Sequence, residues 1–269
     1  MQLTEEERRE LARARRLLER RGLLIKLTGI LGKPIEKSIE LLPGPIARGV
    51  GRITRDSLEK ALNVALSTLG DGDVGGRSSD RRHKLATAAS GAVGGWFGLA
   101  GLAFELPVTT VLMLRSIADI ARSEGHDLSA VDTQLACLEV FALGGPSKSD
   151  DAAETGYYAV RAALAKSFAD VASYVAERGA ARGSAPAIMR LLDKIATRFG
   201  IVVQDKLVLE AVPIIGAASG ALINTVFLSH FQDLARGHFI VRRLEGRHGQ
   251  DAVMAEFEVL EPRRLAAGG

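Results

Sequence analysis

Two long, uncharged, glycine-rich segments constrain this chain more than any other feature. Residues 85–104 carry no charged side chain, and neither do residues 211–229. As a helix, ~20 such residues reach ~30 Å, the hydrocarbon thickness of a bilayer. Gly91, Gly94, Gly95, Gly98 and Gly101 recur at helical spacing, which makes one smooth face for a second backbone. Gly216 and Gly220 keep the same small-residue spacing in the other segment. Ala-Ala-Ser-Gly-Ala occurs at both 88–92 and 217–221. The repeat is either chance in an alanine-rich chain or the mark of two packing partners. The segments are thus expected to be helix-packing faces, or to span or dip into a bilayer. Against spanning, Glu105 and Pro107 interrupt the first.

The remaining sequence points to helices. Aromatic residues are 5% of the chain, whereas alanine, leucine and glycine are abundant. That mixture suits closely packed helices better than sheets. Periodicity and breakers predict helices over 4–21, 23–42, 52–69, 85–104, 107–122, 130–143, 151–178, 186–210 and 211–235. The expected fold is all-α, a multi-helix bundle around the two glycine-rich segments. Three parts are expected: a basic amphipathic helix in residues 1–22, a single helical domain over 23–248, and a polar tail over 249–269.

The first helix has a capping box at Thr4 and Glu7. Leu11, Ala14, Leu17 and Leu18 fall near one face, with Arg8, Arg9, Arg13, Arg16 and Arg20 around the rest. Such a helix either packs on the core or lies on an anionic membrane. A second basic group, Arg236, Arg242 and Arg243, is also expected to face lipid headgroups. A net charge of +3 is too mild to indicate nucleic acid, and none is expected as a partner. The expected partners are membrane lipid and a protein at the membrane. Met1–Arg21 is charged throughout and lacks the apolar core of a signal peptide, so a cytoplasmic, membrane-associated protein is expected. The lone Cys137 excludes an internal disulfide and a cysteine-based metal cage.

No nucleotide-binding, nucleophile-elbow or zinc-protease motif occurs. Asp71 and Asp73 lack the remaining ligands of a calcium loop. No metal and no cofactor are expected. His230 and Asp233, three apart with His238 following, are either an acid–base or metal pair or interfacial side chains. The most informative polar set follows residue 105. With Glu105 as origin, Thr109 lies at about +40°, Ser116 at about +20° and Asp119 at about −40° around a helix. Arg115 and Arg122 flank this stripe. Buried charges are costly unless paired. The stripe is therefore expected to be an internal hydrogen-bonded network or the lining of a ligand cavity. Glu139, alone in an apolar helix, is expected to pair with Arg115 or Arg122, or to lie at the surface.

These residues also carry a likeness. Glu105–Arg122, Leu138–Gly145, Val212-Pro-Ile-Ile-Gly216 with Asn224, and Ala235–Phe239 with Arg242–Glu245 resemble the signature of the EcsC protein family. Lys33–Glu36 and Leu41–Pro43 are similar to its N-terminal region. The resemblance covers roughly residues 25–250. It implies a bacterial, membrane-associated protein of a family named from a gene beside an ABC exporter. It supplies no settled activity. Two function classes stay open beside it: a lipid- or acyl-chain-handling enzyme using Glu105, Asp119, His230 and Asp233, and a fully soluble helical module.

Overall fold

The computed structural model describes residues 3–19, 44–68, 98–145, 156–178, 185–210 and 216–260. Among these residues there are eight helices and no strand: α1 Glu5–Leu18, α2 Gly44–Thr68, α3 Gly98–Ser123, α4 Val131–Leu143, α5 Gly156–Arg178, α6 Pro186–Glu210, α7 Gly216–His248 and α8 Gln250–Val259. The predicted helix over 23–42 and most of the segment 85–104 lie outside the described residues. No described helix is long and apolar enough to cross a membrane.

Four predicted boundaries change. Helix α2 begins at Gly44 rather than at residue 52, with Pro45 in its first turn, where proline's missing donor is not needed. Glu105 and Pro107 do not break α3, which runs through both. Proline inside a helix removes one backbone hydrogen bond. Here the charge beside it is neutralised from other helices, as described below. Helix α7 does not stop near residue 235 but continues through Gly237 to His248. The supposed tail begins with helix α8, whose Val253 and Phe257 are buried.

Helix α4 is the central strut, buried from Thr133 to Ala142. Phe141 meets Phe199 of α6 edge-on, at 4.9 Å between ring centroids, and Phe231 of α7 at 5.6 Å. Phe227 stacks into the same cluster. All four rings are fully buried. Each contributes roughly 1.5–3 kcal/mol by leaving water. Close approach needs small residues at the end of α4. A Cβ on Gly144 would lie 2.6 Å from the Phe231 ring, and one on Gly145 would lie 2.7 Å from the Arg198 carbonyl. Arg198 donates to the carbonyls of Ala142 at 2.7 Å and Gly145 at 3.1 Å, which caps the helix end.

A second, smaller core joins the ends of the described chain. Leu11 and Ala14 of α1 pack with Val241 and Leu244 of α7 and with Val253 and Phe257 of α8. Gly237 permits it: a Cβ there would lie 2.7 Å from Leu18 and 2.9 Å from the Ala14 carbonyl. The capping box at Thr4 forms as expected. Arg15 does not face water. It is buried, bonds Glu19 at 2.7 Å, and donates to the carbonyls of Phe257, Glu258 and Leu260 at the end of α8. Its guanidinium also stacks 5.3 Å from the Phe257 ring.

Candidate functional site

The polar stripe after residue 105 splits into three separate arrangements. Glu105 is buried and accepts from Lys206 of α6 at 2.5 Å and from Asn224 of α7 at 2.9 Å. Lys206 is fully buried and sits 5.5 Å over the Phe227 ring. Ser116 accepts from Gln232 of α7 at 2.7 Å. Asp119 pairs with Arg122 at 3.0 Å, whereas Arg115 is exposed. Thr109 is buried between them, and its hydroxyl finds no hydrogen-bond partner among the described residues. These contacts tie α3 to α6 and α7. The Glu105 and Ser116 contacts are cross-helix pairs in the core, whereas Asp119–Arg122 lies within α3.

Of the glycines expected as packing faces, Gly91, Gly94 and Gly95 lie outside the described residues. Gly98 and Gly101 open α3, and Gly216 and Gly220 open α7. Close approaches are made at Gly144, Gly145 and Gly237, which the sequence did not single out as packing faces.

Glu139 does not pair with Arg115 or Arg122. It faces His238 of α7, with Oε2 3.4 Å from Nε2. Burial pushes its carboxyl up to about 7, although Arg161 and Arg242 pull the other way. Burial, and then Arg242 and Arg161, hold the His238 imidazole well below its usual range. The other ring nitrogen, Nδ1, lies 3.0 Å from the Tyr157 hydroxyl of α5. Arg161 donates to that phenol oxygen at 3.4 Å, which leaves the phenol proton for Nδ1 and the ring proton on Nε2, toward Glu139. Arg161 in turn makes a bidentate pair with Glu245, at 2.6 and 2.8 Å, and stacks on Tyr157 and Tyr158 at 5.3 and 5.5 Å. His230 and Asp233, the pair singled out in the sequence, are not part of this chain of contacts. No group of side chains that could hold a metal exists among the described residues.

This buried chain ends at an open cleft of about 550 Å³. Arg161, Arg242 and Arg243 line it with His126, Glu124 and Glu245. Arg243 is shared by Glu10 of α1 at 3.2 Å and Glu124 at 3.3 Å. Arg242 makes no ion pair among the described residues. His126 binds the Phe239 carbonyl through Nε2 at 3.0 Å, and burial, with Arg242 and Arg243 nearby, keeps it neutral. The cleft therefore offers one guanidinium without a carboxylate partner beside two that are held in place.

The EcsC protein family model matches residues 48–244. This chain belongs to the EcsC protein family. The EcsC match runs from α2 into the last turns of α7. It includes Glu139, Tyr157, His238 and the three cleft arginines, and it leaves out α1 and α8. No curated protein and no solved structure matches the chain.

The eight arginines expected to face headgroups have different fates in this EcsC protein. Arg8 pairs with Glu256 at 3.1 Å and Glu5 at 3.5 Å, and Arg243 is held as above. Arg236 is half-buried and engaged, Arg242 lines the cleft, and Arg20 lies outside the described residues. Arg9, Arg13 and Arg16 are exposed and make no ion pair among the described residues. Sequence reasoning missed Arg15, Tyr157, Arg161 and Glu245. Only Arg15 carried a local signal, its place on the apolar side of α1.

Proposed function

We propose that this protein works at an anionic membrane surface as a peripheral, lipid-contacting or accessory protein. The observation that carries this reading is the geometry of α1. Leu11, Ala14 and Leu18 dock on α7 and α8. Arg9, Arg13 and Arg16 lie within about 60° of one another on the opposite side. That stripe is exposed and makes no ion pair among the described residues, on a helix fastened to the body by Arg243–Glu10 and His248–Glu7 contacts. A rigidly held row of guanidiniums fits a plane of phosphates, at about 1 kcal/mol per arginine near the surface.

Vesicle co-sedimentation tests it. The protein should pellet with phosphatidylglycerol vesicles and not with phosphatidylcholine vesicles, and salt should release it. Changing Arg9, Arg13 and Arg16 together to glutamine should weaken binding on the order of 100-fold. Equal binding to both vesicles, or an unaffected triple variant, would sink the reading. The enzymatic alternative has less support: of its candidate groups, Glu105 and His230 are buried, at 6% and 4% exposure, and Asp119 is paired with Arg122.

A further inference from the structure

We infer that the cleft at the junction of α5, α7 and α8 is a binding site for a phosphate group, carried by a free phosphomonoester or by a lipid headgroup. Three features of the cleft support this. Arg161 is fixed: Glu245 grips it in a bidentate pair, and its guanidinium lies over the Tyr157 and Tyr158 rings. Planar guanidiniums held this way are preorganised for phosphate, because little side-chain freedom is lost on binding. Arg243 is likewise held, between Glu10 and Glu124. Next to it, Arg242 lines the same cleft and makes no ion pair among the described residues, the carboxyl it acts on being the buried Glu139, which burial pushes up to about 7.

The free donors select the ligand. Arg161 is paired with Glu245, and Arg243 with Glu124 and Glu10, so Arg242 is the cleft guanidinium whose donors are not taken up by an ion pair among the described residues. An anionic group with several acceptor oxygens suits those donors and can still accept from the flanking arginines. A cation does not suit them. At the rim, α8 opens on Gly249, whose φ of 87° and missing side chain leave the helix start without a side-chain cap. Gln250, its first residue, lines the cleft. This positive helix end adds to the arginine field. The cleft also draws on segments that the EcsC match leaves out, since Glu245 and Gln250 lie beyond residue 244.

The site is separate from the arginine stripe on α1, so the two readings can fail separately. Calorimetric titration of the full chain with inorganic phosphate and with dihexanoyl phosphatidate, at fixed ionic strength, is the direct test. At least one probe should bind saturably. Arg242→Gln should weaken it at least tenfold with an unchanged melting temperature, and the Arg9, Arg13 and Arg16 triple variant should bind it as the parent does. Tighter phosphatidate binding would identify a lipid headgroup, and binding of phosphate alone a soluble phosphoryl compound. Both outcomes support the site. A second measurement needs no variant fold: in proton NMR of the parent protein, the His126 imidazole signals should shift with phosphate and follow the same isotherm. No saturable binding of either probe, undiminished binding in Arg242→Gln, or stationary His126 signals would overturn it.

Discussion

Arg15 occupies the apolar side of α1, and its guanidinium closes the C-terminal carbonyls of α8. Removing a buried charged donor strands those carbonyls. Arg15→Ala should cost roughly 2–3 kcal/mol in urea unfolding, whereas Arg13→Ala should stay within about 0.5 kcal/mol. Equal effects would show that Arg15 is not a cap. Glu139 and His238 give a pH signature whose sign can be worked out. Folded Glu139 stays protonated up to about 7, whereas in the unfolded chain it ionises from 4.5, so by itself it lowers stability as pH rises between those values. His238 acts oppositely. It is neutral when folded, and the unfolded imidazole takes up a proton below 6.5, so stability falls as pH drops. Between 4.5 and 6.5 the folded and unfolded pairs each hold one proton, and the slopes cancel. Glu139→Gln uncovers the histidine slope. From pH 6.5 to 5 the variant should lose up to about 2 kcal/mol relative to the parent, read from melts at each pH. Parallel profiles would refute a protonated Glu139 beside a neutral His238 in the folded chain. At this scale the sequence was legible only where a local period places a side chain. Arg15 lies on the wheel position of Leu11 and Ala14. His238, by contrast, comes to Glu139 from a helix far along the chain, and no spacing announces it.

The helices themselves were largely readable, because burial on one side imposes a 3.6-residue period. α4 and α6 fall within a residue of their predicted spans. The errors came from reading breakers by residue type. Pro107 and Glu105 look like a helix end until Lys206 is placed against the carboxylate, and that lysine is 101 residues away. Gly237 looks like a stop, yet it is where α1 presses into α7. The cost of a helical glycine, about 1 kcal/mol against alanine, is offset by the contact it permits. Gly237→Val should therefore destabilise by about 1–3 kcal/mol and expose α1 to limited proteolysis at protease levels that leave the parent uncut. If α1 stays protected in the variant, the glycine is not what seats it.

For the whole molecule, the all-α bundle follows from composition and periodicity, but the joining of its ends does not. Sequence organisation suggests a helix, a domain and a tail. The structure instead wraps α1 and α8 around the end of α7 in one small core, with Tyr157 of α5 at its edge. The proposed phosphate cleft sits beside that core, where Arg243 reaches Glu10. The bonds from Arg15 to the end of α8 span more than 240 residues of chain. This has a consequence in time. On a ribosome adding roughly 5–20 residues per second, α1 emerges ten to fifty seconds before its docking partners exist. Throughout that interval Leu11, Ala14 and Leu18 have nothing to pack against, while the arginines already stand on the other side. Whatever the nascent segment meets in that interval, chaperone or lipid, competes with α7 and α8 for its apolar face.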